Sequence, residues 1–146
     1  MAAGETVSGA EAALEAAMLE VLAEDEDVRE LLGDPLRLID AGAPRPAYPY
    51  LEIVQHVTEP ASGLGFEANK HRIDLRVVSR DRGGVLAREA MIAVRTALAI
   101  AYFDSPPPMD GGWRCVVMAP VFSDWAQMRD GFWRGLLRVK AIVEAV

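Results

Sequence analysis

Apolar positions along this chain repeat with two different periods, and the changes of period divide it into elements. Leu14, Met18, Val21 and Leu22 recur at i, i+4, i+7 and i+8, one face of an amphipathic helix. Ser8 with Glu11 has the spacing of a capping box, which places the start of that helix at Ser8. The acidic run Glu24, Asp25, Glu26, Asp27 disfavours a helix C-terminus and suits an N-terminus, so a break near Glu24 and a second short helix through Val28, Leu31 and Leu32 are expected. Gly33 and Pro35 end it. "LRLIDAG" has the character of a short edge strand, and "APRPAYP" that of an extended connector.

From Tyr50 to Thr58 the period falls to two. Leu51, Ile53, Gln55 and Val57 alternate with Glu52, Val54 and His56; both faces are partly apolar, which predicts a central strand. "TEPASGLGFEAN" then forms a glycine-rich loop. "HRIDLRVVSR" alternates again, with Ile73, Leu75 and Val77 on one side and Arg72, Asp74 and Arg76 on the other. The two strands read as a long antiparallel hairpin. After "DRGG" the helical period returns over Leu86, Ala90, Val94, Leu98 and Ala101, with enough alanine for close packing on a sheet. "FDSPPPMDGG" is a loop, Trp113 to about Phe122 an apolar strand, "SDWAQMRDG" a connection turning at Asp130-Gly131, and Phe132 to Glu144 the last strand. The expected architecture is α+β in the order α-β-β-β-α-β-β: a mostly antiparallel sheet of four or five strands with two main helices on one face, in a single domain covering 1–146.

Composition narrows the classes. At 51% apolar and 25% charged residues the balance is that of a globular domain. No apolar run reaches the roughly 18 residues of a spanning helix, and the first 18 residues hold three glutamates and no basic start, unlike a secretory or transit peptide. No membrane role and a cytoplasmic site of synthesis are therefore expected. Cys115 is the one cysteine, which excludes an internal disulfide framework. A net charge of −7 argues against a general phosphate-binding surface.

Candidate chemistry is sparse. His56 and His71 lie nearly symmetrically about the hairpin loop and are candidate cross-strand neighbours, a pH-sensitive pair more readily than a metal site, since no third ligand has a fixed spacing. Cys115, in the apolar "WRCVVMA", suits a buried thiol better than a nucleophile. No cofactor fingerprint is present, and no catalytic, cofactor-binding or metal residue is assigned. Arg72, Arg76, Arg80, Arg134 and Arg138 could share one sheet face, either as a solvated face or as a contact with an acidic neighbour. Apolar side chains in glycine- and proline-rich loops are the strongest functional hint. The candidate interface comprises Leu64, Phe66, Arg72, Arg76, Met109, Trp125 and Phe132.

Nearly the whole chain resembles the tail terminator or tail completion proteins of long-tailed phages and phage-like gene transfer agents. The resemblance lies in "VRELLGD", in "LRLIDAGAPRPAYPYLEI" with its Tyr48-Pro49-Tyr50 strand entry, in "HRIDLRVVSR" followed by "REAMIAVRTAL", and in "RDGFWRGLLRVKAIVEA". These are patterns of residue type in a fixed order. The resemblance implies a structural protein without catalysis, a homo-oligomeric ring of six subunits capping the head-proximal end of the tail tube. It implies partners in the tail tube protein and a head stopper or connector, and a channel through which DNA passes without specific binding. It also implies a final place at the head–tail joint of a phage-like particle. The long loop at 58–69 and the triple proline at 106–108 depart from the pattern. The alternatives are another head–tail connector, a stopper or adaptor, or a small ligand-binding α+β domain.

Overall fold

The computed structural model describes residues 3–39, 43–61, 67–104, 106–129 and 131–146, with only the backbone of 3–8 and 102–104. Helices α1 (Ala3–Glu24), α2 (Glu26–Leu32) and α3 (Val85–Asp104) pack on one face of an antiparallel sheet. Its strands are β1 (Tyr50–Pro60), β2 (Ala68–Ser79), β3 (Trp113–Arg129) and β4 (Phe132–Ala145), in the spatial order β1-β2-β4-β3. The α+β class and the one-sided helix layer agree with the sequence, with four strands and three α-helices among the described residues.

The helix-facing side of the sheet carries the core. Ile73, Leu75 and Val77 of β2 and Leu137, Val139, Ala141 and Val143 of β4 meet Leu14, Met18 and Leu22 of α1 and Val94 and Leu98 of α3. Each fully buried side chain of this kind contributes about 2 kcal/mol. Helix α3 comes closest where small residues allow it. A Cβ added at Gly135 would lie 2.6 Å from the Met91 Cβ and 3.0 Å from the Ala87 carbonyl oxygen, and Ala87 and Ala90 are fully buried. Alanine on the helix and glycine on the strand thus set one contact distance together.

Four expectations need correction. The first helix already runs from Ala3, so Ser8 lies within it and Ser8–Glu11 is not its cap. The working cap is at the next helix: Asp25 accepts the Val28 amide at 3.0 Å, and Gly33, at φ 96°, closes that helix by donating its amide to the Arg29 carbonyl. Among its described residues, 36–39, "LRLIDAG" contributes one isolated parallel bridge, Leu38 to Leu51, at the outer edge of β1 in place of a strand.

The strand expected to be central is an edge strand. Val54 is an extra residue between the pairs Ile53–Leu75 and Gln55–Asp74. This bulge reverses the alternation, so Leu51 and Ile53 face the helices whereas Gln55 and Val57 face away. Both-sided apolarity came from the bulge, not from a central position. Finally, "SDWAQMR" is not a connection: β3 continues to Arg129 with extra residues at Val116, Val121 and Met128, which erase the period-two signal.

The start of α3 is fixed by Asp81, whose carboxylate accepts the Leu86 amide at 3.1 Å and the Ser79 hydroxyl at 2.6 Å. Asp81→Ala is expected to lower stability by about 1 kcal/mol, the usual cost of losing a helix-capping oxygen. Urea unfolding at neutral pH measures it, and an unchanged midpoint would show that this contact contributes nothing.

Candidate interaction surfaces

The side of the sheet away from the helices is uncovered by any described element. Ladder register puts Arg72 and Arg76 of β2 and Arg134 and Arg138 of β4 on it together. The arginines are largely paired. Arg76 donates to Glu52 across β1–β2, Arg134 to Asp124 across β3–β4, and Arg138 to both oxygens of Asp74 at 2.9 and 3.3 Å across β2–β4. Asp74 is 6% exposed, and its hydrogen bond and charge push the Arg138 guanidinium further up from its ordinary pKa. The face is therefore a ladder of cross-strand ion pairs, which hold register and keep an open sheet polar.

At one end the balance changes. A depression of about 400 Å³ crosses the sheet, with Val57, Val117 and Ile142 among its lining and Lys70, Arg72 and Lys140 around it; Glu59 is the carboxylate present. Among the described residues none of these three cations has a carboxylate partner. Arg72 donates from Nη2 to Gln55 at 3.2 Å, while its Nε is buried without a partner.

At the other end of the sheet Tyr48 stacks near Tyr50 and Phe132, with ring centroids 5.3 and 5.7 Å apart. Arg45 and Arg80 lie over Tyr48 and Phe132 at 5.5 and 5.1 Å. Phe132 is thus half-buried in an aromatic cluster capped by cations. Trp125 is turned to the helix side, where it stacks on Trp133 at 4.8 Å and donates its indole N–H to the Gly84 carbonyl at 3.0 Å. Met109 packs against the core. Leu64 and Phe66 lie outside the described residues. The five described candidates are spread over the fold: Arg72 and Arg76 share the open face, Phe132 sits at its end, Trp125 lies on the helix side and Met109 packs against the core.

Sequence reasoning missed the exposed apolar side chains of the two sheet edges. Val54 on β1 and Val116, Val121 and Met128 on β3 are all exposed, and all four are the extra residues of bulges. Their signal in the sequence was the breakdown of alternation itself.

The histidines are neighbours, as expected, but point inward. His56 Nε2 lies 2.8 Å from His71 Nδ1, and His56 Nδ1 lies 2.7 Å from the Glu15 carboxylate of α1. His71 is 2% exposed, and its Nε2 has no partner. Burial, with His56 adding to it, lowers the His71 pKa from 6.5 to about 4. The pair ties α1 to the hairpin, and among the described residues no set of three His, Cys, Asp or Glu could hold a metal ion. Cys115 is buried, its thiol raised by burial to about 11, and it donates to the Val117 carbonyl at 3.5 Å. No described helix is long and apolar enough to cross a membrane.

Residues 16–144 match the model of a family described as tail completion protein gp17. No curated protein matches. Among solved structures, a chain from the virion of a native gene transfer agent particle is similar in fold: TM-score 0.77, 24% identity, covering 92% of this chain and 96% of that one.

Proposed function

Because the chain belongs to the tail completion protein gp17 family, we propose that it works as a tail terminator. In this role it forms a ring, of six subunits by analogy with the terminators it resembles, that caps the head-proximal end of the tail tube, meets the head connector on its other side, and leaves a central channel for DNA. The observation that carries the proposal is the family match over nearly the entire chain, with a fold shared with a chain of a gene transfer agent virion. Several local features support a joining role without catalysis. Cys115 and the histidines are turned into the core, where they hold structure together. An uncovered sheet face and apolar bulged edges are surfaces suited to meeting other subunits. The acidic balance suits a channel wall that repels the DNA backbone and lets it slide. The loop holding Leu64 and Phe66 is assigned to contact with a neighbour or the tube.

The test is capping. Purified protein added to polymerising tail tube protein is expected to arrest tube growth, with the protein at one end by negative-stain microscopy. A variant lacking residues 63–66 is expected to cap less well. Tubes whose length distribution is unaffected by a molar excess of the protein would contradict the terminator role.

A further inference from the structure

Charge is distributed very unevenly between the two layers of this fold. Residues 11–30, which form most of α1 and all but the end of α2, carry eight carboxylates against one cation, Arg29. At the corner between these helices Glu24, Glu26 and Asp27 are exposed, and only Asp25 is engaged, as the α2 cap. On the opposite layer lies the depression bounded by Lys70, Arg72 and Lys140, where the cations lack carboxylate partners and the Arg72 Nε is buried with its hydrogen-bonding capacity unused. Elsewhere on that face arginines do have partners: Glu52, Asp74 and Asp124. A chain of net charge −7 thus keeps three cations without carboxylate partners together in one concave place, and three exposed carboxylates together at one helix corner.

We propose that these two features meet between copies: the acidic corner at Glu24–Asp27 of one subunit docks in the Lys70–Arg72–Lys140 depression of the next. The inference rests on the ring role proposed above and names its contact. Charge complementarity selects a second copy as the occupant, since in the depression three cations outnumber the single carboxylate, Glu59, and the corner supplies the carboxylate partners they lack. The two patches lie on opposite layers, so the contact is heterologous, as closure of a cyclic ring requires. The apolar lining of Val57, Val117 and Ile142 lowers the local dielectric, which strengthens the ion pairs and gives the Arg72 Nε an acceptor. Like-charge repulsion between identical faces disfavours stacking in other orientations.

The experiment is charge exchange in the full chain, read as oligomer size against protein concentration by analytical ultracentrifugation, with and without tail tube protein. Arg72→Glu/Lys140→Glu and, separately, Glu24→Lys/Glu26→Lys are each expected to raise the concentration for half-assembly by at least about tenfold, the equivalent of 1.4 kcal/mol. A mixture of the two variants is expected to recover assembly, because one cross-pairing of the reversed patches is again complementary. Arg72→Gln/Lys140→Gln, which adds no repulsion, serves if the reversed variant loses its wild-type melting curve. Wild-type assembly in both single-site variants, or failure of the mixture to recover while both remain folded, overturns the contact and leaves the ring intact. Rings that form in the variants but no longer cap the tube overturn it in favour of a tube partner at this site. A wild-type chain that stays monomeric with tube protein overturns the ring and this contact together.

Discussion

Gly135→Val is expected to destabilise the protein by about 3 kcal/mol, against the β-propensity that valine would normally add. Valine suits a strand, and on the open face of this sheet it would be tolerated. At Gly135 the first added carbon already lies 2.6 Å from the Met91 Cβ and 3.0 Å from the backbone oxygen of Ala87. Backbone cannot rotate away as a long side chain can. Helix α3 must therefore lift from β4, and lifting it opens the contacts of Ala90, Val94 and Leu98 along the same face. Urea unfolding measures the effect. A midpoint within a few tenths of a kcal/mol of wild type would show that α3 does not approach the sheet this closely. Gly135→Ala is expected to fall between the two, since it adds the clash and nothing beyond it.

A second large effect is predicted with pH. His71 is neutral in the folded protein down to about pH 4, whereas in the unfolded chain it takes up a proton near 6.5. Between those values the unfolded state binds more protons, so stability rises with pH and is lost as pH falls through the window. The shift corresponds to a loss on the order of 3 kcal/mol between pH 7 and pH 4 from this residue. The cause is local: His71 lies under α1, with Thr58 and Asn69 beside it on the same sheet face and His56 and Glu15 on its hydrogen-bonded side. His71→Phe removes the titrating group and is expected to flatten the unfolding free energy over pH 4.5–6.5, at a cost in stability at pH 7.5 from the lost contact to His56. An equally steep pH dependence in His71→Phe would assign the acid sensitivity elsewhere.

Much of this architecture was legible in the sequence because its longest elements keep their period. The helical spacing of Leu14, Met18 and Leu22, and the strict alternation of Ile73, Leu75 and Val77, each match the buried face that the structure shows. The bounds of α2 were legible from the acidic run Glu24–Asp27 before it and from Gly33 after it, although which of the four acids caps the helix was not. The two misread strands share one physical cause. A bulge inserts a residue and swaps faces, so an edge strand with bulges loses the alternation by which strands are recognised. Val54 made β1 look two-sided and central, and Val116, Val121 and Met128 hid the second half of β3. Ser8–Glu11 misled for a different reason: capping residues also occur inside helices, and only the backbone upstream decides between the two.

The interaction surfaces were less legible, because they depend on register between strands far apart in sequence. That Arg138 pairs with Asp74, 64 residues away, is a property of the β2–β4 ladder. The sequence placed arginines on a common face correctly and said nothing of their carboxylate partners. Nor could it show that Trp125 would turn under Gly84 while Lys70, Arg72 and Lys140 converged on one depression.

The central claim is a place in the particle, and immunogold labelling of intact tailed particles with antibody to this chain tests it most directly. Label confined to the joint between head and tail is the predicted result. Particles labelled along the tail, at its distal tip or nowhere would contradict it.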